Sequence, residues 1–115
     1  MTPVEGDPKN EASIIEMKGS AGCFVPLHWH PARERIMMVS GTAVSTVNQK
    51  QTAALKAGDY LSVPPQTPMT FRCNTACTLF VHTDGAFVMH YVDEAGKEIS
   101  PEEALKPVHK AAKKK

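Results

Sequence analysis

Short apolar segments alternate with turn residues along most of the chain, at intervals of about ten residues. The segments "ASIIEMK" (12–18), "CFVPLHWH" (23–30) and "RIMMVSGTAVSTV" (35–47) are predicted strands, the last one interrupted at Gly41. The same rhythm continues through "TAALK", "DYLSVPP", "MTFRC", "CTLFVHT" and "FVMHYV". This pattern predicts an all-β sandwich or barrel of roughly eight to ten strands.

The two ends of the chain differ from this pattern. Residues 1–10 are mostly polar and contain proline and glycine, so we expect an irregular segment there. A short C-terminal helix is predicted at "SPEEALK", because Ser100 suits the N-cap, Pro101 the first helical position and Glu103 the capping box. The predicted organisation is therefore one domain with a β-barrel over 11–95, followed by a helix and a Lys-rich tail over 96–115.

The stretch "GCFVPLHWHPARERIMMVSG" carries the first candidate chemistry. Side chains two apart in a strand share a face, so His28 and His30 should lie side by side with Trp29 on the other face. A bulge or corner over 31–33 would bring Glu34 to the same point. Two imidazoles and one carboxylate suit Fe(II) with open positions, and with a further nitrogen ligand Mn, Ni, Zn or Cu. The competing interpretation is two hydrogen-bonded histidines beside a solvated glutamate.

The spacing of this stretch resembles the first motif of the cupin superfamily. Every fixed position of that motif is matched, in the form Gly22-x5-His28-x-His30-x3-Glu34-x6-Gly41. The resemblance extends over residues 10 to 95. It implies a cupin-type β-barrel, a double-stranded β-helix or jelly roll, with metal ligands at the two histidines and the glutamate.

The second cupin motif is matched only in part. Gly58-x5-Pro64 in "GDYLSVP" fits its opening. The glycine expected two residues later is Gln66, the expected histidine ligand is Met69, and the terminal asparagine position holds Cys73. Three of the four ligands that the resemblance implies are thus present, and the fourth position holds a thioether.

Three outcomes remain open for the metal. The chain binds one divalent transition metal (Fe, Mn, Ni, Cu or Zn) through the two histidines and the glutamate of the first motif, with water completing the shell. It binds copper with Met69 as a long fourth ligand, since thioether sulfur favours Cu(I). Or it binds no metal and keeps a pocket. His82 and His90 are candidates for a compensating ligand from neighbouring strands, and His109 is expected to take no part.

Alternation along the strands predicts the lining of a pocket. Counted from Glu34, the residues Ile36 and Met38 share its face, and counted from Met69, Phe71 does. An apolar pocket with a few converging polar groups is typical of a small-molecule site, although an ordinary barrel core has the same pattern.

Three functions follow from these alternatives. The first is a small metal-binding cupin, a dioxygenase-like enzyme whose open coordination position takes a small organic substrate or O₂. The second is a non-catalytic ligand-binding or sensor module with a degenerate metal site. The third is a copper-binding protein that uses Met69. The resemblance also implies a homodimer formed through the outer strands.

Composition and charge narrow the partners. Hydrophobic residues make up 42% and charged residues 22%, as in soluble globular proteins. The formal net charge is +1 and the one dense basic run is Lys113–Lys115, so we expect no nucleic-acid partner. No window of 18 apolar residues predicts a membrane span. Without a basic-then-apolar leader, the expected compartment is cytoplasmic, or periplasmic if the chain is a processed mature form.

Three cysteines, Cys23, Cys73 and Cys77, form no disulfide-scaffold pattern. Two of them flank "NTA", a predicted turn, so a disulfide across a hairpin is conceivable. Reduced, buried thiols are the favoured expectation.

Overall fold

The computed structural model describes residues 1–105, which fold into strands and one short helix. The elements are β1 (Thr2–Glu5), β2 (Ser13–Gly19), β3 (Phe24–Trp29), β4 (Glu34–Ser40), β5 (Thr42–Val47), β6 (Gln51–Lys56), β7 (Tyr60–Val63), β8 (Met69–Cys73), β9 (Cys77–Thr83), β10 (His90–Tyr91) and α1 (Pro101–Ala104). The Lys-rich tail and His109 lie outside the described residues.

The strands form two five-stranded antiparallel sheets that face each other. The first sheet has the order β1-β2-β9-β4-β7 and the second the order β10-β3-β8-β5-β6. Along β9 every second residue is buried, and the same alternation begins β4. The inward side chains of both sheets make one core, with Ile36, Val63, Leu79 and Val81 from the first sheet and Ala43, Leu55, Met69 and Phe71 from the second. The predicted all-β jelly roll with a short C-terminal helix is confirmed.

The expectation of an irregular segment over residues 1–10 is wrong in part. Thr2–Glu5 forms β1 and pairs antiparallel with β2, although all four of its side chains are exposed. The strand is held by backbone pairing at the edge of the sheet, so it has no buried face and shows no hydrophobic alternation. Conversely, the predicted strand "FVMHYV" is short, since only His90–Tyr91 pairs with β3.

The expectation of reduced, buried thiols is wrong: Cys73 and Cys77 are not reduced, and Cys23 is free but exposed. Cys73 ends β8 and Cys77 begins β9, and their sulfur atoms are bonded. Their Cα atoms are 6.0 Å apart, within the range that disulfides span. The connection 74–76 does not close a hairpin but passes from one sheet to the other. The disulfide therefore links the two sheets covalently.

The C-terminal helix begins where the sequence predicts. Ser100 accepts a hydrogen bond from the backbone N–H of Glu103 at 3.1 Å, so α1 has the predicted N-cap. Within residues 1–105, no helix has the length and apolarity needed to span a membrane.

Gly41 connects β4 with β5 and so carries the chain from the first sheet to the second. Its φ of +82° is in the left-handed region, which favours glycine. A Cβ built there would lie 2.2 Å from the carbonyl oxygen of Ala76 and 2.8 Å from the Cα of Cys77. Both the backbone conformation and the close approach therefore require glycine.

We predict that Gly41→Ala lowers the free energy of unfolding by about 3 kcal/mol or more, because left-handed strain adds to a clash with backbone. Gly58→Ala is the matched control, since Gly58 also has a positive φ (+92°) but no atom within 4 Å of an added Cβ. The control should lose only about 1 kcal/mol. Urea unfolding of both variants measures the difference, and equal losses would contradict the proposed close approach.

Candidate functional site

A cavity of about 240 Å³ lies inside the barrel, and all four predicted ligand positions line it. These are His28, His30, Glu34 and Met69, so the structure brings the two cupin-like motifs together. The cavity is smaller than the usual range for ligand pockets. Its remaining lining is mostly apolar and consists of Met1, Met17, Lys18, Gly19, Cys23, Val25, Ile36, Phe71, Cys73, Leu79, Val81, Phe87, Met89 and Tyr91.

Strand geometry places these side chains as the alternation predicts. His28 and His30 point to the same side, with ring centroids 4.8 Å apart at an interplanar angle of 84°. Trp29 points away and stacks on His90, with centroids 4.1 Å apart. Met69 lies directly opposite His28 in the pairing of β3 with β8.

The corner after β3 brings the carboxyl into the same cavity. Glu34 is the first residue of β4 and is 5% exposed. Its Oε1 lies 3.5 Å from Nε2 of His30. The carboxyl of Glu34 therefore lies beside His30 in the same cavity.

Backbone carbonyls fix the orientation of both imidazoles. Nδ1 of His28 lies 2.6 Å from the carbonyl oxygen of Pro26, and Nδ1 of His30 lies 2.8 Å from that of Val88. Because a carbonyl only accepts, each Nδ1 must carry the hydrogen and donate. Each Nε2 then keeps its lone pair, which is the tautomer that metal-binding histidines adopt with such a partner.

Two polar atoms of this group are buried without a partner. Nε2 of His30 and Oε1 of Glu34 have no hydrogen-bond partner among residues 1–105. An unpaired buried acceptor carries an unrelieved desolvation cost of about 1–3 kcal/mol. Unpaired buried groups of this kind mark places where a ligand or an ion belongs.

Burial also shifts the protonation of all three groups. Loss of hydration lowers the pKa of His28, and the same effect, with repulsion from His28, lowers the pKa of His30 to about 4. Burial raises the pKa of Glu34 to about 7. At neutral pH both imidazoles are therefore uncharged and able to bind a metal, and the carboxyl is near half-ionised. A bound cation would favour the carboxylate.

The donor set can be tested against the metal that the cupin resemblance implies. Among residues 1–105, no group of three or more His, Cys, Asp or Glu side chains is arranged to hold a metal ion. The chemistry of the donors nevertheless fits a divalent transition metal, because two neutral imidazoles are tethered at Nδ1 and two buried donor atoms are unpaired. The residues fit the ion by type, although their present arrangement is not that of a bound one.

The other predicted site residues divide into two groups. Ile36 and Phe71 line the cavity, as alternation predicts. Met38 does not line it and is instead packed in the hydrophobic core, where it is 4% exposed. Met38 shares a face with Glu34, but four residues along a strand move it roughly 13 Å away, beyond the reach of the site.

Neither candidate for a compensating histidine lines the cavity. Nδ1 of His82 lies 3.5 Å from the carboxylate of Asp84, at the surface. Nδ1 of His90 lies 2.9 Å from the carboxylate of Glu98. Both imidazoles therefore have partners elsewhere, and Met69 is not replaced by either.

Sequence reasoning missed the contribution of the last strand region. Phe87, Met89 and Tyr91 all line the cavity. Phe87 stacks on His30 with centroids 4.9 Å apart, and Tyr91 lies 6.0 Å from His28. The available signal was their spacing of two residues, which puts them on one face of an extended chain.

We predict that Glu34→Gln raises the free energy of unfolding of the metal-free protein, relative to wild type, by more at pH 8 than at pH 5. The raised pKa of Glu34 means that the folded protein keeps a proton that the unfolded chain releases, so wild-type stability falls as pH rises from about 4.5 to about 7. The neutral amide removes that loss, and the variant should gain about 2 kcal/mol relative to wild type across this interval.

Urea unfolding at both pH values, with a chelator present, measures this gain. Glu94→Gln, at an exposed carboxyl, is the matched control. A Glu34→Gln effect that does not change with pH would show that Glu34 is not buried as an ionisable group.

Comparison with known proteins adds two findings. The family model described as "Cupin domain" matches residues 16–83. No curated protein matches the chain.

Several solved structures are similar to this chain. An RmlC-like cupin from Shewanella frigidimarina is 24% identical, with 66% of this chain and 68% of that chain covered and a TM-score of 0.62. The DMSP lyase DddQ from Ruegeria pomeroyi is 21% identical over 71% of this chain and 43% of that chain, with a TM-score of 0.65. Salicylate 1,2-dioxygenase from Pseudoaminobacter salicylatoxidans, in adducts with gentisate, is 20% identical over 64% of this chain, with a TM-score of 0.60. This chain spans only 20% of the dioxygenase, and at these identities the likeness shows the fold.

Proposed function

Because the chain belongs to the cupin family, we propose that its cavity is a metal-dependent active site of the dioxygenase-like kind. One divalent transition metal would be held by His28, His30 and Glu34, and a small organic molecule would be the substrate. The observation that carries this proposal is the pair of unpaired buried atoms, Nε2 of His30 and Oε1 of Glu34, 3.5 Å apart in an apolar cavity.

The donor types favour this class of chemistry. Two histidines and one carboxylate are the ligand set of non-haem Fe(II) oxygenases, in which the metal supplies open positions for O₂ and substrate. A structural neighbour, salicylate 1,2-dioxygenase, is consistent with that class by analogy of fold.

The chain's own residues have defined tasks in this proposal. The carbonyls of Pro26 and Val88 hold the two imidazoles in one tautomer and orientation. Phe87, stacked on His30, covers one face of that ring and excludes water from it. The carboxylate of Glu34 would partly neutralise the positive charge of a bound metal ion. This lowers the cost of burying the ion in an apolar cavity.

The cavity suggests the class of substrate. Its volume of about 240 Å³ accommodates only a small molecule. Among residues 1–105, Lys18 is the only lysine or arginine that lines the cavity, and its side chain is exposed. Within these residues no buried cation is therefore available to hold an acidic group of a substrate away from the metal. We propose a neutral, largely apolar substrate.

A second candidate function, copper binding, is favoured by a different observation. Met69 is 1% exposed and lies directly opposite His28, and Met17 and Met89 line the same cavity. Thioethers together with imidazole suit Cu(I).

The homodimer that the family implies stays a prediction.

Metal analysis of the purified protein tests the first function. Offered Fe(II), Mn(II), Ni(II), Cu and Zn(II) separately, wild type should bind about one ion per chain, and His28→Ala and His30→Ala should lose it. His82→Ala and His90→Ala are matched controls that should keep it, because neither residue lines the cavity. A wild type that binds none of these ions would contradict the proposal and favour a ligand-binding or sensor module, above all if Met69→His binds metal.

Two methionine variants, Met69→Leu and Met38→Leu, distinguish copper binding from the alternative functions. If Met69 is a ligand, Met69→Leu should weaken Cu(I) binding at least about tenfold while leaving Zn(II) binding unchanged, because leucine keeps the bulk and removes the sulfur. Met38→Leu is the matched control, a buried methionine outside the cavity. Competition with a Cu(I) chelator measures both, and equal affinities would exclude Met69 as a ligand.

A further inference from the structure

Three cysteines lie close together, and none of them is a ligand in the proposed metal site. Cys73 and Cys77 are joined as a disulfide, and Cys23 is an exposed free thiol just before β3. Cys23 and Cys73 both line the cavity. A free thiol beside a disulfide is the arrangement from which thiol–disulfide exchange proceeds.

Cys23, the residue before β3, lies beside Cys73 at the end of β8. Phe24 pairs with Arg72 and Val25 with Phe71, and beyond these pairs Gly22 and Cys23 both face Cys73. The backbone N–H of Cys73 donates to the carbonyl of Cys23 at 2.9 Å. The backbone N–H of Gly22 also donates to the carbonyl of Cys73, at 2.7 Å. The two cysteines are therefore neighbours across the second sheet, as a bond between them requires.

Gly19, at the end of β2, leaves room for the two sulfur atoms. A Cβ built on Gly19 would lie 2.9 Å from Sγ of Cys73 and 3.5 Å from Sγ of Cys23. The two sulfurs thus face the same small space, which any side chain at position 19 would fill.

We propose that Cys23, Cys73 and Cys77 form a thiol–disulfide exchange site. Cys23 loses its proton to water, and its thiolate attacks Sγ of Cys73. The Cys23–Cys73 bond forms, the Cys73–Cys77 bond breaks, and Cys77 leaves as a thiolate that takes up a proton. The number of thiols and disulfides is unchanged, so the step needs no oxidant or reductant.

The exchange changes what the disulfide holds together. The Cys73–Cys77 bond links the two sheets, whereas a Cys23–Cys73 bond links β3 and β8 within the second sheet. Cys77, which is 3% exposed, would become the free thiol. Because Cys23 is exposed, it is also the position at which a thiol or disulfide from solution reaches this site.

Single-cysteine replacements test whether the second bond forms. Each variant is reduced, reoxidised in a buffer of oxidised dithiothreitol with a metal chelator, and its free thiols are counted and mapped by mass spectrometry. Cys77→Ser should form an intrachain Cys23–Cys73 bond and lose its free thiols, as Cys23→Ser does through Cys73–Cys77. Cys73→Ser should keep two free thiols. A Cys77→Ser protein that folds, as judged by circular dichroism, but keeps both thiols would overturn the proposal.

Slow alkylation of oxidised wild type tests whether the exchange occurs. With dilute iodoacetamide at pH 8, followed by unfolding, reduction and a second label, the first label should appear on Cys23 in some molecules and on Cys77 in others. Cys23→Ser should take no first label at Cys77, which excludes simple opening of the disulfide. First label confined to Cys23 in wild type would show that the disulfide does not move.

Discussion

The burial of two imidazoles and one carboxyl between apolar sheets is the constraint on which the site depends. Removing these groups from water is unfavourable, and backbone carbonyls relieve only one nitrogen of each histidine. For Nε2 of His30 and Oε1 of Glu34, no hydrogen bond within residues 1–105 offsets the loss of hydration. The rest of the barrel must therefore be stable and rigid enough to hold unpaired polar atoms in place, which the continuous core of both sheets provides.

The same arrangement explains why the site joins the two sheets. His28 belongs to the second sheet and Glu34 begins a strand of the first, so the corner between them carries the chain across the barrel. The disulfide of Cys73 and Cys77 adds a covalent link between the two sheets. The site residues and the disulfide thus both depend on how the two sheets are held relative to each other, and both contribute to the lining of one cavity.

Much of the fold and of the site could be predicted, because side chains in a strand alternate between the two faces of a sheet. Alternation and the cupin-like spacing predicted the jelly roll, the shared face of His28 and His30, and the cavity positions of Ile36 and Phe71. Features without such a period were missed. β1 buries no side chain and is held by backbone pairing alone, so its sequence looks irregular. The "NTA" connection resembles a hairpin turn, and only the three-dimensional path shows that it crosses between sheets and brings two cysteines into bonding distance.

Methionine at position 69 makes the two sides of the cavity chemically different. Nitrogen and oxygen donors come from His28, His30 and Glu34, while the strand opposite His28 contributes a thioether that is 1% exposed. Thioether sulfur is a poor ligand for Fe(II), Mn(II) or Ni(II), so in the proposed site water or substrate would occupy the position of a fourth nitrogen ligand. For Cu(I) the same sulfur is a suitable ligand. In the proposed metal site, the identity of this one side chain would therefore determine both how many coordination positions are open and which metals are favoured.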